Sequence, residues 1–310
     1  MDAKKLKSIL EKTIEVVVST GKFIKDSFGK KLDIKHKGEI DLVTEIDVAV
    51  ENKLKKELRK IVDVDFLAEE SASSTEIATR PLWIVDPLDG TTNFAHSLPM
   101  VATSVALWWD KEVVLGVVNL PIIGEVFSAY KGGGAYLNSK KITVSKEKEL
   151  KNSLIATGFP YNIKEKIDEV IPPVKAILIS CQGLRRMGAA AIDLAYVACG
   201  RFEGFFEQGL KPWDIAAGLL LVKEAGGMVT EYSGDPISLY SPNILASNGI
   251  IHSQLSQLIK AKKYNYKEQQ SYEKRSRCHI FARICGCNRC IHNPWQSGPR
   301  YFFKCVKRRI

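Results

Sequence analysis

Two aspartates, Asp86 and Asp89, stand three residues apart in the string Trp83-Ile84-Val85-Asp86-Pro87-Leu88-Asp89-Gly90-Thr91-Thr92-Asn93-Phe94. An apolar strand delivers Asp86 to its carboxyl end, Pro87 fixes a turn, and the spacing lets both carboxylates point to one side of it. Gly90 permits unusual backbone angles. Thr91, Thr92 and Asn93 suit the cap of a helix start, whose free N–H groups and dipole attract phosphate. Hard oxygen ligands beside an anion-binding helix end suit Mg²⁺ with a phosphate substrate. An isolated Asp-Pro-x-Asp is ordinarily a solvent-facing turn. Here two further acidic sites accompany it. Glu69-Glu70 close a separate apolar stretch, and Asp214 lies in Lys211-Pro212-Trp213-Asp214-Ile215-Ala216-Ala217-Gly218, where alone it would read as an N-cap. Acidic groups at several strand ends and helix starts point to convergence on a metal centre.

The elements that must position these residues are legible in the apolar spacing. Residues 3–28 carry Leu6, Ile9, Leu10, Ile14, Val17, Ile24 and Phe28 near a 3.6 period and predict a helix, and residues 47–62 predict a second. Short strands are expected at 65–68, 82–85, 104–109, 113–119, 125–130 and 134–137, with a tight Asp110-Lys111 connection and a hairpin turn at Gly132-Gly133-Gly134. No Lys-Ser/Thr follows those glycines at nucleotide-loop spacing. Further on, helices are expected at 189–198, 215–225 and 250–262, and strands at 202–207, 227–231 and 244–247. Trp108 and Trp109 fall on opposite strand faces and read as packing residues. An early antiparallel block followed by alternating helices and strands predicts a layered α/β architecture.

The 310 residues are 45% hydrophobic, enough for a large core, and no run of about 18 apolar residues predicts a membrane-spanning helix. The start shows no apolar targeting segment and reads as mature protein. The net charge of +10 would suggest a polyanion partner, but its distribution removes the hint. Residues 264–310 hold 11 Lys and Arg against 2 acidic residues, so residues 1–263 are nearly neutral. Five of the seven cysteines also lie beyond residue 263, which leaves Cys181 and Cys199 in the body, too few for a disulfide framework and in keeping with a cytoplasmic location. The body, 1–263, is expected to fold as one catalytic domain with subdomains of roughly 1–150 and 151–263, and 264–310 as a poorly ordered basic tail. Zinc binding by Cys278, His279, Cys285, Cys287, Cys290 and His292 lacks a second C-x-x-C pair.

Asp41-Leu42-Val43-Thr44-Glu45-Ile46-Asp47, Glu69-Glu70-Ser71, the 83–94 string and Trp213-Asp214-Ile215-Ala216-Ala217-Gly218 together resemble the ordered signatures of the inositol monophosphatase family, over roughly residues 5–262. The resemblance implies a layered αβαβα sandwich, a homodimer, lithium sensitivity and Mg²⁺-dependent hydrolysis of a phosphorylated polyol or sugar. It implies that Glu69, Asp86 and the Leu88 carbonyl hold one Mg²⁺ and that Asp86, Asp89 and Asp214 hold a second, roughly 4 Å away. Thr91 would orient the attacking water and Asp47 would accept from its hydroxyl. The N–H groups of Gly90, Thr91 and Thr92 would hold the phosphate. Gly188, Ala189, Ala190, Glu207 and Asp214 would meet substrate hydroxyls. Arg185 or Arg186 would meet a second phosphate, as in fructose 1,6-bisphosphate, or bridge subunits. A weaker third metal would lie near Lys35, His36 and Lys37, where the family's lysine has an ambiguous match. Ala68 replaces a common glycine with the carboxylates kept. Inositol monophosphate is the leading substrate. Fructose 1,6-bisphosphatase activity, alone or as a second activity, is the near alternative, and a regulatory RNA- or protein-binding member is the alternative of another class.

Overall fold

The computed structural model describes residues 1–30, 34–36, 42–72 and 80–260. Helix α1 (Ala3–Ser27) opens where the Asp2 carboxylate accepts the Lys5 N–H at 2.8 Å, and it buries Leu6, Ile9, Leu10, Val17 and Ile24 on one stripe. Strands β1 (Ile34–His36) and β2 (Leu42–Thr44) form an antiparallel ladder that leads into α2 (Glu45–Arg59). Strands β3 (Asp65–Ala68) and β4 (Leu82–Asp89), helix α3 (Thr91–Ala95), and strands β5 (Ala102–Trp109), β6 (Glu112–Leu120), β7 (Glu125–Tyr130), β8 (Gly134–Leu137) and β9 (Lys140–Ile142) follow. The seven strands β3 to β9 form one sheet in chain order, parallel only at β3–β4. The connection at Asp110-Lys111 has positive φ at both residues, as a two-residue hairpin between right-twisted strands requires.

Strand β10 (Leu154–Thr157), helix α4 (Ile163–Leu178), β11 (Gly183–Arg185), α5 (Ala190–Ala198), β12 (Gly204–Gln208), α6 (Pro212–Glu224), β13 (Met228–Thr230), β14 (Asn243–Ser247) and α7 (His252–Lys260) complete the described fold. A second sheet has the order β11-β10-β12-β14-β13. Alternation along the strands sorts the core into layers. In β4, Trp83 and Val85 pack with α1 and α2, whereas Leu82 and Ile84 face the other way, into the core that holds α5 and α6. In the second sheet Ala156, Phe205 and Ala246 face that same middle layer, while Ile155, Phe206 and Leu245 pack against the side of α4 and α7. The result is five layers, α–β–α–β–α, as the resemblance implies.

Several elements differ from expectation. The second helix starts at Glu45 and ends at Arg59, and the helix expected at 215 starts at Pro212, whose missing N–H costs nothing in a first turn. Sequence periodicity assigned nothing to 143–188, where β10, α4 and β11 lie. Helix α4 runs through Pro172 and Pro173. The carbonyls those prolines leave without helical partners, on Asp168 and Glu169, belong to exposed residues, so water can satisfy them. The two tryptophans do face opposite layers. The region of the third metal (Lys37 and the side chains of Lys35 and His36) and the 264–310 tail lie outside the described residues.

Candidate active site

Asp86 and Asp89 reach one face because β4 is irregular between them. Asp86 pairs with Ser104 of β5 and Asp89 with Ala102, so three residues of β4 span the length of two on its partner. In a regular strand, residues three apart point to opposite faces. The extra residue restores the parity and aims both carboxylates at the same cleft. The bulge is held by Thr103 Oγ1, which donates to the Pro87 carbonyl at 3.0 Å, and by the Leu88 N–H, which donates to Asp86 Oδ1 at 3.0 Å. Gly90 follows with φ 91° as the N-cap of α3, and a Cβ there would meet the Met100 carbonyl oxygen at 2.9 Å. No side chain caps α3. Asn93, expected as a capping residue, instead donates from Nδ2 to the Met100 carbonyl at 2.7 Å and the Met187 carbonyl at 2.8 Å, tying the β4–α3 turn to the Gly188 segment.

The other donors arrive on separate elements. Glu69 follows β3, where its N–H extends the parallel ladder to Val85 O at 3.2 Å. Asp214 is the third residue of α6 rather than its N-cap, and its Oδ2 accepts the Lys211 N–H at 2.7 Å. Ser104 Oγ donates to the Trp213 carbonyl at 3.2 Å and pins that helix start to β5. Asp89 Oδ2 accepts the Ala191 N–H at 2.7 Å and so serves the first turn of α5, which lacks a side-chain cap of its own. Buried Asp47, on the first turn of α2, lies 3.1 Å from Thr91 Oγ1, and the Leu88 carbonyl is also 3.1 Å away.

These elements enclose a cleft of about 500 Å³. Glu69, Asp86, Leu88, Asp89, Gly90, Thr91, Thr92, Gly188, Ala189, Ala190, Glu207 and Asp214 all line it. Asp47 stands behind Thr91 and acts on the cleft through it. Arg185 does not line the cleft: it is exposed at the end of edge strand β11, with Nη1 on the Leu184 carbonyl. Its neighbour Arg186 does, with its guanidinium carbon 5.7 Å from the ring centre of Phe159. Phe159 and Tyr161, which sequence reasoning passed over, form an aromatic rim.

Burying so many acids together is costly while they are charged. Burial, then the neighbouring Glu69, Asp89 and Asp214 carboxylates, push Asp86 well above the usual range. Burial raises Asp89 to about 8 against the pull of the Ala191 N–H, and raises Glu207 to about 8 against that of Arg186. A wall of carboxylate oxygens with one backbone carbonyl, each acid raising the next, has the donor chemistry of a hard divalent cation site. Among the described residues no three such groups form a finished cage. The donors come from three places, the end of β3, the bulge of β4 and the first turn of α6.

A model described as the inositol monophosphatase family matches residues 5–267. The chain belongs to the inositol monophosphatase family. An inositol-1-monophosphatase of Synechocystis is 42% identical over 258 residues, 83% of this chain and 90% of that protein. An inositol monophosphatase of Dictyostelium discoideum is 40% identical over 260 residues, 82% and 96% of the two chains. The crystal structure of the extragenic suppressor protein suhB from Bartonella henselae matches with a TM-score of 0.77 at 36% identity, covering 82% of this chain and 98% of that one. The chain is a phosphatase of that family.

Proposed function

We propose that the protein is a Mg²⁺-dependent phosphomonoesterase that hydrolyses inositol monophosphate to inositol and inorganic phosphate. The observation that carries the reading is the meeting, in one cleft, of five carboxylates, the start of α3 and the Asp47–Thr91 pair. The names of the two relatives at 42% and 40% identity support the substrate class. Glu69, Asp86, Leu88 O, Asp89 and Asp214 would hold Mg²⁺, which when bound supplies Lewis acidity toward the phosphoryl oxygens. The N–H groups of Gly90, Thr91 and Thr92 bind the phosphate oxygens. Thr91 Oγ1 donates its proton toward Asp47 and keeps its lone pairs for a hydrogen of the attacking water, so Asp47 sets the direction of that water. Water oxygen bonds to phosphorus, the bond from phosphorus to the inositol oxygen breaks, and the alcohol leaves with one of the water's two protons while the other stays on the phosphate. Glu207 and the Gly188–Ala190 turn hold the inositol hydroxyls.

Arg186 favours a second substrate class. A guanidinium on the cleft wall suits a second phosphate such as that of fructose 1,6-bisphosphate. A cytoplasmic homodimer fits the resemblance and the free thiols of Cys181 and Cys199. Among the described residues no helix is long and apolar enough to cross a membrane. The test is phosphate release from inositol 1-phosphate, fructose 1,6-bisphosphate, NADP and phosphoadenosine phosphate in parallel, with and without Mg²⁺. Metal-dependent release from inositol 1-phosphate is expected. No release from any of them by folded protein would reject the reading.

A further inference from the structure

Helix α2 presents two buried carboxylates one turn apart, and the chemistry above uses only the first. Asp47 holds Thr91. Glu51, 3% exposed, faces the corner that follows β3. Its Oε2 accepts the Glu70 N–H at 2.8 Å, and its Oε1 pairs with Lys55 Nζ at 2.9 Å. Lys55 Nζ in turn closes on Ser71 Oγ. A carboxylate on an apolar helix stripe beside Val50, Leu54 and Leu58 is expensive to desolvate, and an aliphatic residue would fill the position at lower cost. What the acid adds is a hold on the main chain at 70 and, through Lys55, on the side chain at 71.

That hold bears on Glu69. The Glu69 N–H makes the bond to Val85 O that extends the β3–β4 ladder, and the Ser71 N–H turns back to Ala68 O at 3.3 Å. The Glu70 N–H between them leaves the sheet and is taken by Glu51. We propose that Glu51 is a positioning residue. It fixes the corner from which the Glu69 carboxylate enters the cleft, so that Glu69 and Thr91 are both referenced to one rigid helix. The inference rests on Glu69 being a metal ligand, as proposed above.

Two conservative variants separate positioning from bulk stability. Glu51→Gln keeps an oxygen within reach of the Glu70 N–H. Glu51→Asp keeps the charge but is one methylene too short. Mg²⁺ is titrated by calorimetry into the full-length protein freed of divalent ions, with thermal melts alongside. Loss of a group that orients a ligand typically weakens metal binding about 10–100-fold. Glu51→Asp should fall in that range, with kcat largely restored at saturating Mg²⁺, and Glu51→Gln should stay within roughly threefold of the parent. Equal Mg²⁺ affinity in Glu51→Asp and the parent, or a lowered melting temperature as the only effect, would overturn the positioning role. If the parent binds no Mg²⁺, the proposed function fails and this inference with it. If the parent binds and both variants bind equally well, this inference alone fails.

Discussion

Replacing Gly158 with alanine should separate polyol recognition from phosphate chemistry. Gly158 directly follows β10, and its backbone φ lies outside the left-handed region, so alanine meets no main-chain strain there. The obstacle is Glu207. An added Cβ would sit 2.0 Å from its Oε2 and 2.2 Å from both Cδ and Oε1, where ordinary contact begins at 3.4 Å. The carboxyl group must therefore retreat about 1.4 Å, the difference between 3.4 and 2.0 Å. A misplacement of about 1 Å at a reacting or orienting group can lower rate about 100-fold, equivalent to about 2.7 kcal/mol. Because Glu207 is assigned to the inositol hydroxyls and not to the phosphate, the loss should depend on substrate. The assay is kcat/KM for inositol 1-phosphate beside p-nitrophenyl phosphate, which has no polyol hydroxyls, at saturating Mg²⁺. The expected result is a fall of about 100-fold for the first and little change for the second. Equal losses on both, or none on inositol 1-phosphate, would refute the assignment of Glu207.

Thr91→Val leaves Asp47 buried without its hydroxyl partner and should lower kcat by about 10²–10⁴-fold with KM nearly unchanged, while Thr91→Ser keeps most activity. Parental rates in Thr91→Val would remove the pair from the mechanism. Asp89 and Glu207, near 8 in the folded chain, bind protons that the unfolded chain releases at ordinary carboxylate values. The stability they contribute is whole below those ordinary values and is lost as pH rises through about 8. Mg²⁺ should offset that loss and raise the melting temperature more at pH 8.5 than at pH 6, an expectation that equal increments would contradict. His252 acts in the opposite direction. Burial lowers its pKa below the ordinary 6.5, with its ring nitrogens on Thr230 Oγ1 and Ser247 Oγ. Its contribution is whole above pH 6.5 and is lost as pH falls below it. His252→Gln should therefore flatten the fall in melting temperature between pH 6.5 and 5 in Mg²⁺-saturated protein, and an unchanged slope would remove His252 as its source.

Most of the scaffold is legible in the sequence because its helices and strands bury one regular face. Helix α1 shows its stripe plainly, and β4 to β8 show short apolar runs between turn residues. Helix α4 was hidden by two internal prolines and by apolar residues on its exposed side: Ile167, Ile171 and Leu178 blur the stripe made by Val170, Pro173 and Ile177. The acids of the cleft were legible from their own strings. Their common direction was not, because it depends on a bulge that only the pairing with β5 reveals. Arg185 and Arg186 are adjacent and chemically alike, so their sequence could not say which one faces the cleft. Glu51 had a signal that went unused. Buried Asp47, Glu51, Leu54 and Leu58 follow one another at helical spacing, and acids on an apolar stripe call for partners.

The most direct test of the central claim is phosphate release from inositol 1-phosphate by protein freed of divalent ions, followed as Mg²⁺ is added to the parent and to Asp214→Asn. The cleft described here predicts release that rises from near zero to saturation with Mg²⁺ in the parent. It predicts a loss of orders of magnitude in Asp214→Asn, whose fold and melting temperature stay close to the parent's. Release that needs no divalent ion, or that is the same in parent and variant, would contradict it.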